Sequence, residues 1–153
     1  MQLLKEAETL RKVPLFAKLE PSRLKLMAFT SQYLTYEDGE LVFREGDAAE
    51  AVFVILEGEA EIVVETRTGS LRVGMLGKDE LFGELALINN TPRSATMRAK
   101  GHLQVLRIAG DMFLKLLAES PEVALAVMRQ LSKKLARAIP RAGLDAVMPA
   151  PPQ

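Results

Sequence analysis

The feature that most constrains this chain is a series of short strand signals between about residues 33 and 108. The segments are apolar and partly β-branched, and glycine-containing turns such as Asp38-Gly39 and Glu45-Gly46-Asp47 separate them. The signals cover residues 41–43, 51–56, 59–65, 71–75, 96–99 and 103–108. Several short strands at close spacing, with glycine between them, are typical of all-β folds. The pattern predicts an antiparallel barrel or jelly roll and disfavours a doubly wound parallel sheet.

Helical patterns precede this block over about residues 1–30. Apolar residues recur at helical spacing up to Leu10, and Pro14 then ends the first helix. Pro21-Ser22 opens a short second helix, with Leu24 and Met27 on one face.

Helical patterns also follow the strand block, over about residues 111–139. Asp111 is the expected cap of a short helix. Ser120-Pro121-Glu122 combines a capping serine, a first-turn proline and an acid, and predicts a longer helix that ends before Pro140. We expect residues 1–140 to form one domain and 141–153 a flexible tail.

Composition excludes several classes of function. The chain has 153 residues, with 20 Lys and Arg against 20 Asp and Glu, so it lacks the basic surplus of a nucleic-acid binder. It has no Cys and one His, which disfavours metal centres built from thiolates or imidazoles and a cupin-type metalloenzyme. No apolar run reaches the roughly 18 residues of a membrane span, and the first residues, Met1-Gln2-Leu3-Leu4-Lys5-Glu6, lack the long apolar stretch that is typical of a signal peptide. We therefore expect a cytoplasmic binding module that is not an enzyme and has no membrane or nucleic-acid partner.

One segment interrupts the strand pattern. Phe82-Gly83-Glu84-Leu85-Ala86-Leu87 reads as a glycine followed by a helical turn, which would direct backbone N–H groups into one concavity. Arg93 follows nine positions after Glu84 and offers a planar fork of donors that fits a phosphate. A carboxylate beside a phosphate makes sense if it accepts hydrogen bonds from a sugar hydroxyl. The segment predicts a sugar-phosphate site.

Each of these signals also has a purely structural interpretation. Glu84 and Arg93 would then form an ion pair with each other, and Val73 and Leu76 would be core residues. His102 is expected at the surface. The acids of the third strand region are expected to form a solvated strand face; they are Glu57, Glu59, Glu61 and Glu65.

The same residues resemble a known family. Phe82-Gly83-Glu84-Leu85-Ala86-Leu87 with Pro92-Arg93-Ser94-Ala95-Thr96 resembles the phosphate-binding cassette of the cyclic nucleotide-binding domain family. Phe43-Arg44-Glu45-Gly46-Asp47, the run 53–58, and Val13-Pro14-Leu15-Phe16 resemble its framework upstream. The similarity covers about residues 10–138, and several ordered motifs are more specific than any single pattern.

This resemblance implies a mainly β domain, an eight-stranded antiparallel jelly-roll barrel with N-terminal helices and a long C-terminal lid helix. It implies cAMP, or cGMP, as the ligand and no cofactor. Arg93 would pair with the cyclic phosphate and Glu84 would hold the ribose 2′-hydroxyl. The other implied ligand contacts are the backbone N–H groups of Gly83, Leu85 and Ala86, the hydroxyl or amide of Ser94, and the purine neighbours Val73 and Leu76.

The residue after the cassette arginine bears on the choice of base. In members that favour cGMP, a threonine often occupies this place and contacts the guanine amino group. Ser94 lacks the additional methyl group, and this predicts a preference for cAMP.

We expect the C-terminal helix to respond to ligand binding. In related domains the end of this helix closes over the purine as a lid. In this chain the resemblance assigns that role to Leu135 or Ile139. An apolar stripe runs along this helix, formed by Ala124, Met128, Leu131, Leu135 and Ala138. The stripe either packs on the barrel or forms the seam of a homodimer.

The familiar members join this domain to a DNA-binding domain, a second such domain or a channel pore. None of these occurs in the 153 residues, and we expect a stand-alone cAMP sensor that moves its C-terminal helix toward an effector protein. The alternatives are a ligand-free protein-interaction domain of the same fold, and a regulatory fragment of a larger channel, kinase or transcription factor.

Overall fold

The computed structural model describes residues 2–138, with the side chains of residues 6–137. This part of the chain is mainly β with flanking helices, as predicted. The helices are α1 Gln2–Arg11, α2 Pro21–Thr30, α3 Glu84–Asn89, α4 Gly110–Glu119 and α5 Pro121–Ala138, with a 3₁₀ turn at Pro14–Phe16. The strands are β1 Gln32–Tyr36, β2 Leu41–Phe43, β3 Ala51–Thr66, β4 Gly69–Leu76, β5 Leu81–Phe82 and β6 Thr96–Ala109.

All strand pairs are antiparallel. The main path runs β1-β6-β3-β4, while β2 pairs with β6 and β5 pairs with β3. Strands β1 and β4 are the two ends of this path, and no ladder joins them within residues 2–138. The sheet is therefore not closed into the barrel that the sequence predicts.

The part of the chain that the structure describes forms six strands, where the resemblance implies eight. The predicted pairs 51–56 with 59–65, and 96–99 with 103–108, are each one continuous strand, β3 and β6. Their pairing shifts register between Ile55 and Glu59, so the strands bend without ending the ladder. Gly58 lies at this irregularity with φ +91°, and a side chain there would collide with the His102 carbonyl.

Strand β3 separates two apolar clusters, because successive side chains point to opposite faces. Val52 and Val54 belong to what we call the helix cluster, which α1, α2, α4 and α5 cover. Phe53 and Ile55 belong to what we call the roll cluster, inside the curved sheet. The helix cluster also contains Leu10, Phe16, Leu24, Met27, Phe113, Leu116, Val123 and Val127, and the roll cluster Phe82, Met97, Leu103 and Val105.

The start of α5 follows the sequence signal, whereas the start of α4 does not. The Ser120 hydroxyl accepts a hydrogen bond from the Val123 N–H at 3.4 Å, which confirms it as a cap. Helix α4 begins one residue before Asp111, at Gly110, with Ala109 at the cap position. Asp111 lies in the first turn and accepts a hydrogen bond from the next N–H.

The buried face of α5 differs from the predicted stripe. Val123 and Val127 are buried in the helix cluster, and Leu131 packs against it. Met128 is 57% exposed and Leu135 is 64% exposed, so the interpretation that they pack on the sheet is wrong. The two stripes are adjacent on the helix and both are apolar, so periodicity alone did not separate them.

The acidic face of β3 is solvated at three of its four predicted positions. Glu57, Glu59 and Glu65 are exposed. Glu61 is the correction, because its side chain is only 14% exposed and accepts hydrogen bonds from Arg98 Nε at 3.0 Å and Nη2 at 2.7 Å. These bonds lower the pKa of the Glu61 carboxyl from its usual range.

Two further observations concern residues 2–138, the described part of the chain. Within that range no helix has the length and apolar character to cross a membrane. No three His, Asp or Glu side chains in the same range converge on a point where they could hold a metal ion. His102 lies at the surface as predicted, with its side chain 58% exposed beside Glu37.

Candidate functional site

The cassette starts where β5 ends. Gly83 follows Phe82 in the left-handed region, with φ +85°, and turns the chain from the strand into α3. A Cβ at this position would lie 2.8 Å from Arg93 Nη1 and 3.5 Å from the Phe43 ring. Gly83 is the N-cap residue of α3, and no side chain caps the helix there. Its left-handed backbone makes the turn, and its lack of a side chain leaves room for the Arg93 guanidinium.

The backbone of Arg93 is fixed by a turn distant in sequence. The Arg93 N–H donates to the Asp47 carbonyl at 2.9 Å, and the Gly46 N–H donates to the Arg93 carbonyl at 2.8 Å. Gly46 adopts φ +92°, which this turn requires. The turn that follows β2, which contains Gly46 and Asp47, therefore fixes the backbone of Arg93 in the cassette.

The Arg93 side chain is 5% exposed and reaches across the interior. Its Nη1 donates to the Gly83 carbonyl and its Nη2 to the Ala51 carbonyl, both at 2.6 Å. The guanidinium carbon lies 4.1 Å from the centroid of the Phe43 ring, a cation–π contact. Burial lowers the pKa of the Arg93 guanidinium, and the charges of Glu84 and Asp47 oppose this shift.

Glu84 is the second buried charged side chain of the cassette, at 2% exposed. Its Oε1 accepts a hydrogen bond from Lys134 Nζ of α5 at 2.9 Å. Arg93, by contrast, bonds to carbonyl groups. The interpretation that Glu84 and Arg93 form an ion pair with each other is therefore wrong: the two charges lie in one region but have separate partners.

Helix α5 binds the segment that leads into the cassette through polar side chains. Gln130 accepts a hydrogen bond from the Leu81 N–H at 2.9 Å and donates to the Asp79 carbonyl at 3.3 Å. Lys134 also donates to the Leu81 carbonyl. Arg137 forms an ion pair with Glu80 at 2.7 Å. The C-terminal half of α5 is thus attached to β5 and the cassette by one polar face.

The remaining predicted residues of the cassette lie together on α3 and the loop that follows it. Ala86 is buried at 7%, whereas the Leu85 side chain is 53% exposed and Ser94 is exposed. A contact of these residues with a ligand stays a prediction.

The predicted purine neighbours lie on β4. Leu76 is 4% exposed, pairs with Ala60 and belongs to the roll cluster. Val73 is 55% exposed and is the additional residue of a bulge, because Arg72 pairs with Val63 and Gly74 with Ile62. Their contact with a purine stays a prediction.

The two lid candidates have different outcomes. Leu135 is 64% exposed, and it is the neighbouring Lys134 that contacts the cassette. Ile139 lies outside the described residues, as do Pro140 and the predicted tail 141–153.

Sequence reasoning missed two residues of the site. Lys134 follows Val123 and Val127 on the same helical face, eleven and seven positions later. A lysine on the buried face of an amphipathic helix is a signal for an acidic partner, and it could have been found. The sequence places Phe43 only in a strand motif. Its contact with Arg93 depends on how β2 and the turn after it meet the loop that precedes β6, and it has no local signal.

Comparisons with known proteins agree with this geometry. The family model of the cyclic nucleotide-binding domain matches residues 33–120. A cAMP-dependent protein kinase regulatory subunit from Blastocladiella emersonii is 36% identical over 115 residues, which cover 74% of this chain and 28% of that protein. The chain thus spans less than a third of the length of this relative.

Two solved structures show the same fold. The sensor domain of the transcriptional regulator DNR from Pseudomonas aeruginosa has a TM-score of 0.75 at 24% identity, over 99% of both chains. The regulatory domain of Toxoplasma gondii PKA with cAMP has a TM-score of 0.71 at 23% identity, over 88% of this chain and 50% of that one. The family is a ligand-binding regulatory domain and not a catalytic one. The chain belongs to the cyclic nucleotide-binding domain family.

Proposed function

We propose that this chain is a sensor that binds a cyclic mononucleotide, with cAMP as its preferred ligand, and signals through α5. The observation that carries the proposal is the pair of buried charges beside Gly83, the Arg93 guanidinium and the Glu84 carboxylate, which do not neutralise each other. Opposite charges with separate roles match a ligand that has a phosphate at one end and a sugar hydroxyl at the other.

In this proposal Arg93 binds the cyclic phosphate. The phosphate would take over donors that now bond to the carbonyls of Gly83 and Ala51, and the Nε, which is buried and has no hydrogen-bond partner among the described residues. A buried guanidinium binds a phosphate strongly, because little water competes for its donors. Glu84 accepts the ribose 2′-hydroxyl, and the N–H groups at the start of α3 face the phosphate.

The preference for cAMP over cGMP rests on Ser94, which is exposed beside Arg93 and lacks a threonine methyl group. It is supported by the similarity to a cAMP-dependent protein kinase regulatory subunit. Competition between the two nucleotides tests it, and cGMP binding tenfold tighter than cAMP would contradict it.

The experiment that tests binding is calorimetry with cAMP, cGMP and 5′-AMP on the wild-type chain and on Arg93→Ala. We expect the variant to lose about 2–5 kcal/mol of binding free energy, because a desolvated phosphate would lose its paired donors. Arg98→Ala is the matched control, since Arg98 is a half-buried arginine that pairs with Glu61 instead. Unchanged affinity in a folded Arg93→Ala variant would refute the site.

A second candidate function has a specific observation in its favour. The Arg93 Nη groups and the Glu84 carboxylate all have partners within the protein, as they would in a domain that binds no nucleotide and only contacts other proteins. The same titration separates the candidates: no heat with any cyclic nucleotide favours the interaction domain.

The partner surface that we propose is the outward face of α5. Leu125, Met128 and Leu135 are 44%, 57% and 64% exposed and lie on one side of the helix. An apolar stripe of this kind fits an effector protein or a second copy of the chain. Sedimentation of the wild-type chain and of Met128→Glu distinguishes a homodimer from a monomer that awaits an effector.

A further inference from the structure

The starting observation is that Lys134 reaches the carboxylate assigned to the sugar. Its Nζ lies 2.9 Å from Glu84 Oε1 and also donates to the Leu81 carbonyl. The Lys134 side chain is 20% exposed and that of Glu84 only 3%. The ion pair joins residues 50 positions apart, from α5 and from the first turn of α3.

The burial of Glu84 determines how a sugar hydroxyl could reach its carboxylate. A carboxylate that is 3% exposed has almost no surface on which a sugar hydroxyl could sit within hydrogen-bonding distance. A hydroxyl that bonds to Glu84 must therefore displace a neighbour. The ammonium of Lys134 is the group that can leave, because it stands on a flexible four-carbon stem at the partly exposed end of the contact.

The attachment of α5 makes this displacement consequential. The first half of the helix is held by apolar burial at Val123 and Val127. In the second half Leu131 still packs against the helix cluster, and Gln130, Lys134 and Arg137 attach the helix to β5, the cassette and the turn before them. The Lys134–Glu84 pair is the more buried of the two ion pairs, whereas Arg137 and Glu80 are 56% and 24% exposed and water competes for their contact. Loss of the central contact would loosen residues 130–137 and leave the first half in place.

We propose that Lys134 is an intramolecular occupant of the sugar subsite, so that a cyclic nucleotide and the docked C-terminal half of α5 compete for Glu84. The inference rests on the proposed function, and it names the regulation of the same site. An apolar lid at Leu135 would dock the helix when the ligand binds. In this competition the ligand instead releases the helix. Leu135, the exposed apolar residue of this half, would then change its position relative to the sheet when the nucleotide binds, while Leu125 and Met128 stay in place.

The test compares Lys134→Met with wild type by titration with cAMP and with 2′-deoxy-cAMP. We expect Lys134→Met to bind cAMP roughly tenfold or more tightly, the scale of one hydrogen bond to a charged group. Its discrimination between cAMP and the 2′-deoxy analogue should increase, since the hydroxyl no longer competes with an ammonium. Lys133→Met is the matched control: it removes the neighbouring, exposed lysine of the same helix, which takes part in none of the contacts named above, and its affinity should stay within about twofold of wild type.

Hydrogen exchange on the wild-type chain gives a readout that needs no variant. On addition of cAMP, amides of residues 130–137 should lose protection while those of residues 82–96 gain it. The competition would be overturned if Lys134→Met bound cAMP as weakly as wild type or more weakly, or if Lys133→Met gained as much affinity. Increased protection of residues 130–137 on addition of cAMP would also overturn it. Each of these outcomes leaves the proposed function standing. Absence of cyclic nucleotide binding by the wild-type chain would instead refute the proposed function, and the inference with it.

Discussion

The two apolar clusters on either side of β3 have the same kind of side chains but different neighbours. The helix cluster is built from apolar residues, among them Leu10, Phe16 and Phe113, each 0% exposed. The roll cluster borders a buried charge, because the Arg93 guanidinium lies over the ring of Phe43, which packs against that cluster. We therefore expect the helix cluster to contribute mainly to the stability of the fold, and the roll cluster to support the guanidinium that we propose as the phosphate-binding group.

The largest expected effect is on the free energy of unfolding, and it concerns the helix cluster. Phe113→Ala removes a fully buried ring from the helix cluster and should lower the free energy of unfolding by about 3–5 kcal/mol. The cAMP affinity of the folded protein should stay within about threefold of wild type, because Phe113 belongs to the helix cluster, whereas Phe43, the ring that Arg93 contacts, packs against the roll cluster. Denaturant titration and calorimetry measure the two quantities.

Leu114→Ala is the control for this change. Leu114 is the next residue of α4 and is 42% exposed, so its truncation should cost far less stability. If Phe113→Ala folds and yet loses affinity as strongly as it loses stability, the two clusters are not separate in function.

The intermediate effect is on the affinity for cAMP, and it concerns the Phe43 ring beside the roll cluster. Phe43→Leu keeps an apolar side chain but removes the ring beneath Arg93, and should weaken cAMP binding by about 0.5–2 kcal/mol. Phe53→Leu is the matched control, because Phe53 belongs to the same aromatic group, with its ring 5.8 Å from that of Phe43, and lacks the contact with Arg93. Calorimetry on both variants checks the difference, and equal losses would show that the ring acts through packing alone.

The smallest effect lies outside both clusters, at Glu61. The hydrogen bonds from Arg98 lower the pKa of the Glu61 carboxyl in the folded state. A lowered folded pKa means that the ion pair stabilises the protein above the unfolded value, about 4.3, and that this contribution is lost as pH falls through the folded pKa. Glu61→Gln should therefore reduce Tm by a few degrees at most at pH 7, and the difference should begin to shrink once the pH falls below the unfolded value.

Thermal unfolding of wild type and Glu61→Gln between about pH 3 and 7 measures this difference, since the window extends below the unfolded pKa of a glutamate, about 4.3. Glu59→Gln, at an exposed position of the same strand, serves as the control. A Tm difference that stays constant down to the acidic end would contradict the assignment to this carboxylate.

The helix starts at Pro21 and Ser120-Pro121 could be predicted because each depends on a few neighbouring residues. The same holds for Gly83, since a left-handed turn between a strand and a helix is a property of the local backbone. The cassette is contiguous in sequence, so the amino-acid pattern was enough to identify both of its charged residues, Glu84 and Arg93. These elements obey rules that act over one to four residues.

The strand count could not be predicted in the same way. Gly58 and Gly101 read as turn residues that end strands, yet β3 and β6 pass through both positions. Whether a glycine ends a strand or bends it depends on the pairing partner, and register across the sheet is not visible in either segment alone.

The amino-acid pattern alone predicts the local features of this chain: a β domain with glycine turns, the helices that flank it, and a cassette with one carboxylate and one guanidinium. The partners of those two charges depend on the tertiary structure. Lys134 meets Glu84 across 50 residues, Arg93 meets the Ala51 carbonyl across 42, and α5 buries Val127 instead of Met128. The physical reason is that local backbone preferences act within a turn of helix or a strand, whereas these contacts depend on how whole elements cross, and several crossings satisfy the same periodicity.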